Sequence, residues 1–266
     1  MDNSLFDYSY HYSNWHSDTK ESRDFDMENA RRFFCDHCIF PQRKGAKILE
    51  IGCGMGRVLL MLKAAGYSDL TGVDIDKSQV EIARKSGLTV DLSDALAYLE
   101  KSSGKFDAIY FFDFIEHIEK EKQLDFLCLV KEHLREDGMA AFAVPNALAP
   151  CGMFFRYIDF THTICYTRES ISFLLHNAGL HHIQIRPQHT ESVEIQKLKV
   201  PWAKLYRNEF GLRDVILTPN LVVVAFKEKA CMDNYLKRAP NISNSYEENS
   251  RLKSKFWRYI KPLKFR

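Results

Sequence analysis

Three glycines at spacing two, Gly52-Cys53-Gly54-Met55-Gly56, follow the apolar stretch Ile48-Leu49-Glu50-Ile51. Behind them Arg57-Val58-Leu59-Leu60-Met61-Leu62 reads as the opening turns of a helix. Strand, glycine turn and helix let a backbone come close to a nucleotide-like ligand. Thr71-Gly72-Val73-Asp74-Ile75-Asp76 reads as a second strand whose carboxyl end carries Asp74, 18 residues after Gly56. A carboxylate at that place can accept both hydroxyls of a ribose. Two histidines stand where a parallel sheet collects its ligands, beyond the carboxyl ends of later strands. His117 follows the apolar run Phe106 to Phe112, and His162 lies in Asp159-Phe160-Thr161-His162-Thr163-Ile164-Cys165-Tyr166-Thr167. A histidine beside a reacting hydroxyl can take its proton. Each has a structural alternative: a cap or packed ring for His117, a loop-holding hydrogen bond for His162.

No His, Asp and Glu set has the spacing of a metal site, so no metal is expected. Cys35-x-x-Cys38 has no second pair behind it and sits in an apparent helix with Phe33, Phe34 and Ile39, which reads as buried free thiols. Phe154, Phe155, Tyr157 and Phe160 can either wall an acceptor pocket or pack as the core of a lid.

The elements that must position these residues alternate. Strands are expected from Lys47 to Val144, separated by helices at 57–65, 77–86, 92–101 and 121–135. Alternation of this kind implies a parallel sheet with right-handed crossovers. Thr167 opens a further helix that runs to Asn177, and Gly179 stops it. His182 to Arg186 and Leu221 to Phe226 read as the last strands, with an insertion at about 188–215 between them. Residues 1–27 read as an arm or lid, 28–228 as one domain, and 229–266 as a polar linker followed by a basic tail.

A chain of 266 residues can hold one sizeable core. The net charge of +2 hides a division: residues 229–266 carry ten Lys and Arg against three acids, or +7, which leaves −5 on the rest. A mildly acidic body argues against a nucleic-acid groove. In the tail, Leu252, Phe256, Trp257, Ile260 and Leu263 fall near one helical face among cations, a pattern suited to an anionic membrane surface or a partner protein. Seven cysteines without framework spacing fit reduced thiols. No basic-then-apolar signal opens the chain, so a cytoplasmic protein is expected.

Gly-x-Gly-x-Gly behind Glu50, with Arg57 where a dinucleotide fingerprint places its third glycine, resembles motif I of the class I S-adenosylmethionine (SAM) methyltransferases. Leu92-Ser93-Asp94-Ala95-Leu96 is similar to the loop whose acid reaches the adenine. Asp113-Phe114-Ile115-Glu116-His117 resembles the D-x-x-E-H element of many small-molecule methyltransferases. The stretch from Asp159 to Thr167 resembles the D-x-T-H-x-x-x-Y-T loop after strand 5. The resemblance covers about residues 30 to 228. It implies a Rossmann-like, seven-stranded, mostly parallel α/β sheet, with SAM as cofactor and S-adenosylhomocysteine (SAH) as product. The implied cofactor residues are Glu50, Gly52, Cys53, Gly54, Gly56, Asp74, Ile75, Asp94, Ala95, Phe112 and Asp113. His117 and His162 are the implied catalytic candidates. The implied acceptor is a small-molecule hydroxyl, on a sugar or surface-glycan intermediate or on a quinone precursor. A SAM-binding scaffold without turnover is the reading of another class.

Overall fold

The structure, a computed structural model, describes residues 19–212, 214–241 and 246. They form two compact units, residues 19–190 with 216–241 and residues 191–215 with 246.

The first unit holds a seven-stranded sheet in the order β3-β2-β1-β4-β5-β7-β6. The strands are β1 Lys47–Ile51, β2 Asp69–Asp74, β3 Val90–Leu92, β4 Phe106–Tyr110, β5 Leu134–Pro145, β6 His182–Pro187 and β7 Asn220–Phe226. The pairs from β3 through β5 are parallel, while β7 runs antiparallel to both β5 and β6. Helices α1 Lys20–His37, α2 Arg57–Ala64, α3 Lys77–Lys85, α4 Ala95–Lys101, α5 Gln123–His133, α6 Gly152–Tyr157 and α7 Arg168–Asn177 come between or before the strands.

Alternation along the strands builds both layers of core. Leu49, Ile51, Ile109, Phe111 and Phe142 pack with Phe126, Leu127 and Ile171 in one cluster. Ile48, Ala108, Tyr110 and Ala141 pack with Phe34, Met61 and Leu62 in another. Burial on both faces explains why these strands read as continuous apolar runs.

The chain departs from the sequence reading at its edges. The first helix starts at Lys20, inside the stretch read as an arm, and the Thr19 side chain caps it by accepting from the Ser22 amide at 3.2 Å. Cys35 is exposed rather than buried, and Cys38 ends α1 in a left-handed conformation. The insertion carries α8 Val193–Phe210, and residues read as linker form α9 Lys229–Arg238. The α9 pattern has few apolar positions, but Tyr235 is buried and its hydroxyl donates to the His37 carbonyl at 2.8 Å. Arg186 Nη1 donates to the same hydroxyl at 2.8 Å. The arm residues 1–18 and the basic, aromatic segment 251–263 lie outside the described residues.

In the second unit, α8 is capped by Ser192, whose hydroxyl accepts from the Ile195 amide. Buried Glu191 pairs with Lys199 and accepts from the Tyr246 hydroxyl at 2.9 Å. Trp202 lies on this helix. No helix among the described residues is long and apolar enough to cross a membrane.

His37 links burial to pH. Its ring is fully enclosed, and Nε2–H donates to the Gln188 carbonyl at 2.9 Å. Burial, with Arg186 nearby, lowers its pKa from 6.5 to about 4. A depressed folded-state pKa means the unfolded chain takes the proton first. This contribution is therefore complete above pH 6.5 and is lost as pH falls toward about 4. A shift of this size corresponds to ~3 kcal/mol. Denaturant titrations of His37→Gln between these pH values should show a shallower decline than the parent. Equal slopes would remove His37 from the acid response.

Candidate active site

The parallel strands reverse their order of addition between β1 and β4, and a sheet of this kind opens a crevice at that point. The glycine turn follows β1. Gly52, Gly54 and Gly56 have φ of 67°, 52° and 75°, a region where a side chain is strained. A Cβ on Gly52 would also lie 2.5 Å from Phe114 Cδ2, so the turn after β1 and the loop after β4 touch through that missing side chain.

Asp74, at the end of β2, pins the turn. Its Oδ2 accepts from the Gly54 amide at 2.7 Å and its Oδ1 from the Asp76 amide at 2.8 Å. Burial nonetheless raises its pKa, since these bonds only partly offset desolvation. Glu50 is 5% exposed, and its Oε2 has no hydrogen-bond partner among the described residues. Burial, and then the neighbouring Asp74 charge, hold its carboxyl well above the usual range. Two desolvated carboxylates beside one turn create a place for a positive ligand.

The other implied cofactor residues divide. Ile75 is 41% exposed at the end of β2, and Leu92 is 44% exposed at the end of β3, so two apolar side chains stand at neighbouring strand ends. Asp94 caps α4 by accepting from the Ala97 amide at 3.0 Å, and Ala95 is buried behind it. Cys53 turns its side chain into the cluster of Leu59, Val80, Leu88 and Val90, leaving only its main chain at the turn. Phe112 packs on α1, with ring centroids 5.5 Å from Phe33 and 5.7 Å from Phe34. Asp113 sits at φ 47° and accepts from the Asn220 side-chain amide at 3.0 Å. It keeps solvent access, yet the protein packed around it pushes its carboxyl up to about 6.

The two candidate histidines meet. Their ring centroids are 4.6 Å apart. His117 lies in the 3-10 turn Ile115–His117, which Gln123 secures by donating to the Ile115 and Ile118 carbonyls at 3.2 and 3.0 Å. The loop that carries His162 is stitched to that turn. The Thr163 amide donates to the Glu116 carbonyl at 2.7 Å, and the Thr163 hydroxyl reaches the same carbonyl at 2.8 Å.

A chain of hydrogen bonds sets the tautomers. The Thr161 hydroxyl donates to Asp159 Oδ1 at 2.6 Å, so the 2.7 Å contact to His117 Nδ1 requires that nitrogen to donate. His162 Nδ1 faces the Phe155 carbonyl at 2.6 Å and must donate as well. Each ring, when neutral, therefore carries its proton on Nδ1. Burial alone would raise Asp159, but two bonds from Thr161 and the charges of His117 and His162 outweigh it and bring the carboxyl below its usual value.

Glu116 was not among the residues singled out for the site. It is 0% exposed, and neither carboxylate oxygen has a hydrogen-bond partner among the described residues. Burial, and then the Asp113 charge, raise its pKa well above the ordinary value. The buried Tyr166 hydroxyl nearby also has no partner among the described residues, and burial followed by Glu116 pushes its pKa up. Ligand-type atoms of Glu116, His117 and His162 lie within 4.8 Å of one another. Linear spacing could not show this grouping, because 45 residues separate His117 from His162. Phe154, Tyr157 and Phe160 are 57%, 68% and 81% exposed, so they are not lid core.

Known proteins give this geometry a context. The pattern of the family described as "Methyltransferase domain" matches residues 27–185. A ubiquinone biosynthesis O-methyltransferase from Rickettsia canadensis (strain McKiel) is 26% identical over 106 residues, 38% of this chain and 44% of that protein. The match thus spans less than half the length of that relative. The solved structure of a SAM dependent methyltransferase from Archaeoglobus fulgidus has a TM-score of 0.63 at 22% identity, covering 82% of this chain and 99% of that one. Magnesium protoporphyrin IX methyltransferase from Synechocystis PCC 6803, solved with bound SAH, has a TM-score of 0.51 at 15% identity, covering 77% and 83%. At these identities the likeness to solved structures is one of fold.

Proposed function

This chain belongs to the methyltransferase-domain family, and on that premise we propose that it moves the methyl group of SAM to a hydroxyl of a small molecule. The pair Glu50 and Asp74 around the glycine turn carries the reading. SAM brings an ammonium and a sulfonium, and buried Glu50 beside partly buried Asp74 favours a cation over a neutral ligand. Ile75 and Leu92 offer apolar walls for an adenine, and Asp74 offers acceptors for ribose hydroxyls.

Methyl transfer is an in-line displacement: the acceptor oxygen bonds the methyl carbon as the carbon–sulfur bond breaks. Positioning supplies most of the rate in such a step. The hydroxyl proton must also leave, and His117 and His162 are the imidazoles at the acceptor face. The fixed tautomers put an accepting nitrogen on each ring.

A sugar or surface-glycan hydroxyl is our first choice of acceptor. Exposed Phe154, Tyr157 and Phe160 beside polar groups suit a ring with one apolar face. The quinone-pathway reading draws on the curated relative's name, and the same aromatics would accept a quinone precursor. Labelled-methyl transfer from SAM into cell extract separates the readings. Label in the aqueous glycan fraction supports the first and label in the organic fraction the second. SAM binding with no labelled fraction at all would leave a scaffold.

Two variants test the site itself. Asp74→Ala should weaken SAM binding in isothermal titration by about tenfold or more, the ~1–3 kcal/mol of unpaired buried groups. Undiminished affinity would remove Asp74 from the cofactor site. His117→Ala and His162→Ala should each lower turnover by about a hundredfold while SAM affinity holds. Full activity in both would leave positioning to carry the rate without either ring.

A further inference from the structure

We propose that the segment 251–263 of this same chain packs along the outward face of α8, so that the apolar side of the basic tail is met by the protein itself.

Val200 and Ala203 are buried and mark the inward side of α8. On the opposite side Ile195, Leu198, Trp202 and Leu205 are all exposed, Leu198 the most at 72%. Their spacing of three, four and three residues brings them within about 80° of arc on a helix. A stripe that narrow is the seam of a helix pair, where a lipid surface is met by a broader apolar face.

The charges nearest the stripe are acids. Glu209 continues it, four residues after Leu205, and Glu194 borders it beside Ile195. Both are exposed. Lys197 and Lys204 lie about 120–140° round the helix from the centre of the stripe. Lys199 is paired with Glu191. An anionic leaflet would receive Glu209 together with the apolar side chains, whereas helices that lie on such surfaces frame theirs with Lys and Arg. A second copy of α8 brings the same two acids rather than their complement. What fits is a short apolar helix face with cations at both ends.

The tail has that make-up. Leu252, Phe256 and Tyr259 recur at spacings of four and three, with Ile260 beside them. Pro262 ends a helix here, and Leu263 follows it. Arg251 stands before the apolar positions, and Lys264 and Arg266 stand behind them. The fold delivers this segment to the right place. Tyr246 is buried, and its hydroxyl donates to Glu191 Oε2 at 2.9 Å, one residue before the Ser192 cap of α8. Residues 247–251 alone separate that anchor from Leu252, and such a stretch reaches at most ~18 Å. A helix running on from the amino end of α8 lies parallel to it. The register that sets Leu252 on Ile195 sets Arg251 on Glu194 and Tyr259 on Trp202, and carries Lys264 and Arg266 toward Glu209. The tether supplies an effective concentration that is roughly millimolar, so a modest set of contacts suffices for occupancy.

Hydrogen exchange of the full-length protein tests the contact. Amides of residues 252–261 should exchange about tenfold or more slowly than in a synthetic peptide of residues 244–266. Leu198→Asp and Leu205→Asp should return them to the peptide's rate while the circular dichroism spectrum and melting midpoint hold. Phe173→Asp, at an exposed position on α7 in the other unit, should leave the protection as it is. Exchange at the peptide's rate in the parent, protection that survives both α8 variants, or protection lost in Phe173→Asp would each overturn the docking. So would protection that rises with protein concentration as a dimer forms in the ultracentrifuge, which is a second copy. Protection that arises only on phosphatidylglycerol vesicles, which is a membrane, would overturn it too. Should both α8 variants fail to fold, Phe256→Asp decides from the other side: it should free the segment, and unchanged protection would sink the contact.

Discussion

A carboxylate drawn out of water and incompletely met by hydrogen-bond donors is the constraint around which this chain is arranged. It occurs on both sides of the crevice between β1 and β4. Glu50 and Asp74 stand on the side of the glycine turn, and Glu116 stands on the side of the loop after β4. An apolar replacement at any of these places would suit the surrounding core better than an uncompensated acid. The acids therefore lower the stability of the unliganded protein. Their retention is best understood through ligands that bring positive charge, since anything that binds only the folded state returns stability by mass action.

The backbone around the crevice is correspondingly well tied. Asp74 holds the glycine turn through the Gly54 amide, and Phe114 fills the space that a side chain at Gly52 would need. On the opposite side, Thr163 fastens the loop after β5 to the turn carrying Glu116 and His117. Tyr166 continues the fastening, its amide donating to the Pro145 carbonyl at 2.8 Å. Loops that would otherwise be adaptable are thereby made to hold side chains at fixed separations, which is what a displacement reaction requires.

Much of this was legible in the sequence because it follows local rules. The glycine spacing, the acid 18 residues later and the apolar runs of the strands all report geometry within one strand–helix unit. The features that escaped are of another kind. Glu116 stood in the D-x-x-E-H stretch with no role assigned to it, and the tie from Thr163 to its carbonyl is a tertiary contact. The meeting of His117 with His162 is a tertiary fact, as is the docking of α9 through Tyr235 and Arg186. Phe112 and Cys53 were assigned to the cofactor by their neighbours in sequence. Their side chains turn to the core because adjacent residues at a strand end face opposite ways.

The two halves of the crevice also differ in how their charge can be met. Near the glycine turn the main chain contributes donors, so the acids there are partly satisfied and the remaining deficit suits an organic cation that also brings hydroxyls. Around Glu116 the hydrogen-bond donors have been directed elsewhere: Thr161 to Asp159, both imidazole N–H groups outward, Thr163 to main-chain carbonyls. The Glu116 carboxylate itself is left with no hydrogen-bond partner among the described residues. The two sides of the crevice therefore differ in how far their own donors meet the acids placed there.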